Sequence, residues 1–479
     1  MRRVGWLVVL CWVLGCAGGA FALGQSAPLS PEFLRWREEA ARGGDRSSGP
    51  AGERPTGYIP SPVDLSHLDG ADYSRFLDRR SDRGDALPVS CDLRAEGRVT
   101  PVRDQGPFGT CWSFAAIGAA ESSYLTQKLG GTPDLSEMHL AWFTYVEPGK
   151  GFTVTDRQGN TIFSPTSADV LMRGGSNFKS AATLARWTGA VSEDSLPYET
   201  EPSPDKSASD YPNRLHLRDV FYLGRDRKKP DDTVWKTLIR EYGAISIAYC
   251  SDWQYYTDDD VSFYNSNSDD DANHQVLAVG WDDNYSKDNF RSDRPRPARS
   301  GAWLVKNSWG EQFGRAGYFW ISYEDKTLRS GAVYRMAPAD PSMRQYGYDD
   351  LGWVRSLHPG GTASQGWMGN VFTAEGDEAL RAVSFYTTAA NARYTLRVYR
   401  LGTAPNTPVS GMLVYEGTGG FPFAGYHTVD LTAPVPLKTG ERFSVVLRME
   451  TPGYGHPLAI ESKEDAYSDN AACNPGESY

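Results

Sequence analysis

The stretch RDQGPFGTCWSFAA, residues 103–116, sets one cysteine where a glycine-containing loop turns into an apolar helix pattern. A free cysteine usually packs as a small buried hydrophobe, so Cys111 by itself does not announce chemistry. A nucleophilic cysteine needs a stabilised thiolate, a base, and donors for the oxyanion formed when it attacks a carbonyl. Cys111 falls in the first turn of its predicted helix, where free N–H groups and the helix dipole favour negative charge. Gly106 and Gly109 allow a close backbone approach to a ligand, although glycines also simply make turns. Gln105 could offer its side-chain amide to an oxyanion beside the Cys111 N–H; its plainer role is a solvated loop glutamine.

The base should be a histidine on another element, and three fall in the same region: His139, His216 and His274. His139 sits on a predicted helix and His216 in a polar stretch read as exposed. His274 stands just before the apolar run 275–281, at a loop-to-strand junction where a side chain can face a cleft. Elimination leaves His274 as the best partner, against the plain alternative of a structural histidine. The second ring nitrogen needs an acceptor that fixes the tautomer. Asn307, ending the predicted strand 302–306, is suitably placed, and Trp309 could shield that bond from water. An asparagine at a strand end is otherwise a turn residue.

These residues must be positioned by helices that come first and strands that come later. Helices are predicted over 111–127, with Thr110 as N-cap, over 135–146 from Ser136, and over 181–189. Strands follow at 244–249, 275–281, 302–306 and 318–323, an α+β arrangement of two layers with a cleft between them. Residues 336–345 read as a linker. Short alternating strands at 382–387, 394–400, 426–431 and 442–447 then predict an all-β sandwich. The expected division is 1–22, an export signal; 23–86, a linker or a propeptide; 87–337, the catalytic domain; and 346–479, the sandwich. Composition alone favours a linker for 23–86, with a short helix at 33–42. The sharper reading is a propeptide whose residues 58–68 dock in the cleft.

The 479 residues are 40% hydrophobic and 23% charged, as in a soluble globular protein, with a net charge of -11. That acidity argues against nucleic acid as a partner. The runs Asp258–Asp260 and Asp269–Asp271 read as solvated loop faces, since neither has calcium-loop spacing. The start is basic, then apolar over 4–14, and ends in Ala20-Phe21-Ala22, a cleavage pattern for an exported protein. Lipoprotein anchoring at Cys16 and an uncleaved signal anchor are the alternatives. Cys91, Cys111, Cys250 and Cys473 are far apart and lack zinc-site spacing, so no metal and no cofactor is expected. One disulfide among Cys91, Cys250 and Cys473 stays open.

Three blocks, Gln105-Gly-Pro-Phe-Gly-Thr-Cys111-Trp112, Asn273-His274-Gln-Val-Leu-Ala-Val-Gly280 and Lys306-Asn307-Ser308-Trp309-Gly310, together resemble the active-site blocks of papain-like cysteine peptidases. Leu135-Ser136-Glu137 and Gly174-Gly175 match two further family positions. The resemblance implies a helical lobe with Cys111, a β lobe with His274 and Asn307, and peptide-bond hydrolysis through a thioester. Gln105 would help bind the oxyanion, and Gly109, Gly174, Gly175, Asn273 and Trp309 would line the substrate site. Phe108 stands where many members have a disulfide cysteine. Gln275 and Phe313 replace usual residues and are expected in the subsite walls. Residues from 346 resemble a lectin-like sandwich, which implies a carbohydrate or cell-surface ligand, or a packing module. Residues 474–479 look like a turn that in relatives leads into further chain. The leading function is an exported cysteine endopeptidase made as a zymogen, acting on peptide or protein. The alternatives are a surface carbohydrate-binding protein with an inert peptidase domain, and a Cys-His acyltransferase or amidase acting on cell-wall peptides.

Overall fold

Thirteen of the sixteen residues of the helix Cys111–Thr126 are buried, so it runs through the interior and not over the surface. In this computed structural model the chain is described over residues 4–8 (backbone only), 24–42, 54–81, 86–147, 150–154, 162, 166–200, 202–203, 206–225, 232–360, 364–402, 407–472 and 474–479. Gly118 lets the buried helix approach the strand His274–Asp282: a Cβ there would lie 2.9 Å from Leu277 Cδ2. Glu137–Phe143, capped by the Ser136 side chain, and Asn177–Ala185 complete the helical lobe. The third predicted helix therefore starts four residues earlier than the pattern suggests and stops before Trp187, which takes a positive φ.

The β lobe is a sheet in the order Leu215–Leu223, Gly331–Pro338, Ile245–Tyr249, His274–Asp282, Ala302–Lys306, Tyr318–Ser322 and Ser262–Phe263. Leu277 pairs with Lys306 across its centre, so the strand ends carrying His274 and Asn307 lie side by side. Two elements escape the sequence reading. Leu215–Leu223 is a strand, and His216 stacks on Trp187 at 3.8 Å, so that stretch is not the exposed polar segment expected. Thr233–Tyr242 is an amphipathic helix burying Val234, Trp235, Leu238 and Ile239.

The C-terminal region is the predicted sandwich. One sheet pairs Glu378–Thr387 with Ala424–Leu437; the other holds Gln365–Thr373, Arg442–Glu450, Ala392–Arg400 and Met412–Phe421. Ala424–Leu437 also pairs antiparallel with Leu215–Leu223, so the two domains share a sheet. The expected linker at 336–345 is mostly strand: Gly331–Pro338 pairs with Leu215–Leu223, and Met343–Tyr346 forms a second short strand.

The segment after the predicted signal is docked, contrary to the linker reading. Its helix Pro31–Ala41 buries Phe33 and Trp36, and Ile59, Val63 and Leu68 join the same core. A few large side chains outweigh a composition of Arg, Gly, Pro and Ser. Asp271 is likewise no solvated face: its carboxylate accepts two hydrogen bonds from Arg35 of this helix, at 2.8 and 2.5 Å. Asp258 does stay exposed. Cys91, Cys111 and Cys250 are free thiols; Cys16, Cys473 and the expected cleavage site lie outside the described residues. Among the described residues no helix is long and apolar enough to cross a membrane, and no cluster could hold a metal.

Candidate active site

Cys111 opens its helix without a side-chain cap: Thr110 occupies the N-cap position but its hydroxyl meets the Tyr198 hydroxyl instead. The first-turn N–H groups of Cys111 and Trp112 are thereby left to face the thiol, together with those of Gly57 and Gln275. The Gln275 N–H places the sulfur beside the start of the His274 strand. His274 is fully buried and its Nε2 lies 2.9 Å from Asn307 Oδ1. That contact assigns the proton to Nε2 and leaves Nδ1, which has no hydrogen-bond partner, as the nitrogen with the available lone pair. Asn307 Oδ1 also accepts from the Ser308 N–H at 2.8 Å, which holds the amide in place. The indole of Trp309 stacks on His274 at 4.4 Å and 18°, covering the bond from water.

Gln105 is oriented by a residue that sequence reasoning passed over. Its Oε1 accepts from Ser308 Oγ at 2.6 Å, so Nε2 points to the Phe108 carbonyl (2.6 Å) and the Pro55 carbonyl (3.1 Å). The signal for Ser308 was its place between Asn307 and Trp309. Phe108 packs edge-on to Tyr198 at 6.5 Å.

The cleft is occupied by the chain itself. Arg54 donates to the Trp309 carbonyl at 2.7 Å, and Trp309 Nε1 donates to Pro55 O at 3.3 Å. Gly57 and Tyr58 donate to the Asn273 carbonyl, Ile59 donates to Gly175 O, and Gly175 donates to Gly57 O at 2.8 Å. The closest contacts with the catalytic loop thus come from residues 54–57, just before the segment sequence reasoning singled out. Gly57 has no room for a side chain, since a Cβ would lie 2.0 Å from Gly109 O. Gly174, at φ +81°, would likewise put a Cβ 2.5 Å from Gly57 O, and Gly109 would put one 2.9 Å from Thr56 O. Asn273 acts through its carbonyl here, while its side chain bonds the backbone of Ser251.

Two expected wall residues lie elsewhere. Gln275 is fully buried and donates to Asn177 Oδ1 and Ser246 Oγ, both at 2.7 Å, tying the lobes together beneath the cleft. Phe313 packs edge-on behind Trp309 at 5.0 Å. His139 is buried against Phe143 and Tyr211, far from this constellation in role, with its pKa brought down to about 4 by burial.

Burial also sets the charge state. It pushes the Cys111 thiol up to about 12, partly offset by the N–H groups around it, and brings His274 down to about 4 despite the Asn307 contact. At neutral pH both groups are uncharged in the covered cleft, the opposite of a thiolate–imidazolium pair.

Comparison with known proteins agrees with this geometry. Residues 87–144 and 168–336 match the papain family of cysteine proteases, and residues 345–479 match a lectin-like domain. The chain is 29% identical over 237 residues to a cathepsin L-like peptidase of Aedes aegypti, covering 48% of this chain and 58% of that protein. It is 30% identical over 241 residues to digestive cysteine proteinase 1 of Homarus americanus, covering 49% and 62%. The match therefore spans less than two thirds of those relatives' own length. The crystal structure of the cysteine protease and lectin-like domains of Cwp84, a surface layer associated protein of Clostridium difficile, superposes with a TM-score of 0.76 at 26% identity, over 96% of this chain and 93% of that one. Clostridial Cwp84 after propeptide cleavage gives 0.67 at 28%, over 81% and 92%. Residues 87–144 and 168–336 thus carry a papain-family cysteine protease domain, and a lectin-like domain follows it.

Proposed function

We propose that this protein is an exported cysteine endopeptidase made as a zymogen, with Cys111, His274, Asn307 and Gln105 as its working residues. The observation that carries the reading is the His274–Asn307 contact at 2.9 Å, roofed by Trp309, next to a cysteine covered by the chain's own residues 54–59. Once that segment leaves, water re-enters, the thiol pKa falls and the imidazole pKa rises. The Cys111 thiolate then adds to the carbonyl carbon of a peptide bond. The Cys111 N–H and the Gln105 amide donate to the resulting oxyanion. The C–N bond breaks as the proton on His274 Nδ1 passes to the leaving amine. Water, giving a proton to Nδ1, adds to the thioester carbonyl; the C–S bond breaks, the acid leaves, and the thiolate beside a protonated His274 is restored. Gly175, with Gly174 beside it, bonds the extended substrate backbone as it now bonds residues 57 and 59.

Export rests on the basic-then-apolar start and its small-residue cleavage pattern, and a surface location is in keeping with the surface layer association named for Cwp84. The lectin-like domain is proposed to take a carbohydrate or another cell-surface ligand. A peptide-library digest tests the enzyme. Protein beginning near Leu87 should cleave, protein beginning at Leu23 should cleave far less, and Cys111→Ala should abolish both. Cleavage that survives Cys111→Ala overturns the mechanism; equal activity from both starts overturns the zymogen.

A further inference from the structure

Beyond the last strand, Leu458–Ile460, the chain leaves the lectin-like sandwich and runs back over the catalytic domain. Arg173, next to Gly174, donates to the Ala466 carbonyl at 3.0 Å, and Asn470 donates to Gly151 O at 3.1 Å. Between these two anchors Tyr467 is buried in the catalytic domain. Its ring lies edge-on to Phe152 at 5.5 Å, and the ammonium of Lys179 sits 4.1 Å from both ring centroids. Burial holds the Lys179 amine well below the usual lysine pKa, and its packing between the two aromatic faces fixes those rings. The Tyr467 hydroxyl faces Ser176, the residue following Gly175, and Ser61 of the docked segment.

What covers Tyr467 is the N-terminal segment. Phe33 stands edge-on to it at 5.6 Å, and Trp36 lies beneath the Arg173 guanidinium. Two bulky side chains of this chain therefore occupy a surface that opens when the segment departs. Ile59 bonds Gly175, and Ser61 is two residues further along the same segment, about 7 Å in an extended chain.

We infer that the lectin-like domain completes the substrate cleft, with Tyr467 as the wall of a subsite for an aromatic or bulky apolar side chain of an extended peptide. The subsite lies on the Gly175 side of the scissile bond, beyond the residue that bonds Gly175. Phe33 is the stand-in for that side chain in the covered form. The inference rests on the endopeptidase reading and adds a specificity determinant contributed by a second domain.

The test uses enzyme processed to remove the N-terminal segment and a peptide library varied at each position on both sides of the cut. Wild type should prefer aromatic or large apolar residues at one position on the Gly175 side. Tyr467→Ala should lower kcat/KM about tenfold for those peptides, mainly through KM. Tyr467→Phe should keep the preference. A Tyr467→Ala profile identical to wild type, or one lowered equally at every position, overturns the proposal. A second measurement needs neither turnover nor a Tyr467 variant. Hydrogen exchange of residues 464–472 in processed Cys111→Ala should slow when an aromatic-rich peptide binds, and unchanged exchange with peptide bound overturns the subsite. If wild type fails to cleave, the endopeptidase reading falls, and the exchange experiment still decides whether Tyr467 meets a peptide.

Discussion

Replacing Gly57 by valine in the full-length protein should uncover Cys111. Any Cβ at residue 57 meets the Gly109 backbone at 2.0 Å, and neither chain can yield that far while Gly57 keeps its bonds to Asn273 and Gly175. The segment must lift. With the thiol held at about 12 by burial, only about one molecule in 10⁵ is thiolate at pH 7. An exposed thiol near its ordinary value of about 8.5 is about 3% thiolate, a gain of about 3,000-fold. The less basic thiolate is intrinsically slower by about 40-fold, which leaves a net gain of about 75-fold in alkylation rate. Restored access adds to this. The assay is iodoacetamide labelling at pH 7 with mass spectrometric readout of each cysteine. Cys91 and Cys250, whose thiols burial raises to about 11 and about 12, serve as internal references that should not change. The reasoning is refuted if residues 54–63 of Gly57→Val become open to proteolysis while Cys111 labels no faster than in the unsubstituted protein.

Three further outcomes are expected. Asn307→Ala in processed enzyme should lower kcat by about 10², because His274 loses the acceptor that fixes its tautomer, with KM changed far less; equal loss in both parameters would point to a collapsed site. Gln275→Leu should cost about 1–3 kcal/mol in denaturant unfolding by stranding buried Ser246 and weakening Asn177, without shifting the cleavage profile. A shifted profile at unchanged stability would return Gln275 to the subsite wall. Glu32 has its pKa raised by burial and by Asp271, against Arg329 and Arg35. A raised carboxyl penalises the docked state at neutral pH, and the penalty fades as pH falls through the docked pKa. Glu32→Gln should therefore raise the melting temperature of the full chain at pH 7, and the difference should shrink on acidification towards pH 5. A melting temperature lowered by this substitution at pH 7 would show that the Arg329 contact outweighs burial.

Much of the candidate site is legible because Cys111, His274 and Asn307 sit at element boundaries that local pattern marks well. An apolar helix run begins at Cys111, an apolar strand begins at His274, and another ends just before Asn307. The helix Thr233–Tyr242 was hidden by a sparse apolar pattern, in which only Val234, Trp235, Leu238 and Ile239 mark the inner face. Gln275 and Phe313 illustrate a different failure: a position next to an active residue says nothing about which side of a strand it faces. Gln275 alternates away from the cleft and into the layer shared with Asn177.

What the amino-acid sequence determines here is the set of reactive groups and the elements that bear them, since helix starts and strand ends follow from short-range periodicity and capping. The 33 positions from His274 to Asn307, and the 163 from Cys111 to His274, are closed by sheet register and by the close packing that Gly118 permits. Tertiary structure alone decides the burial that pushes the Cys111 thiol up and His274 down, and it alone lays residues 54–59 along Asn273 and Gly175 from a distant part of the chain. It alone brings Tyr467 against Lys179, 288 positions apart, and so packs a residue of the second domain against the helical lobe.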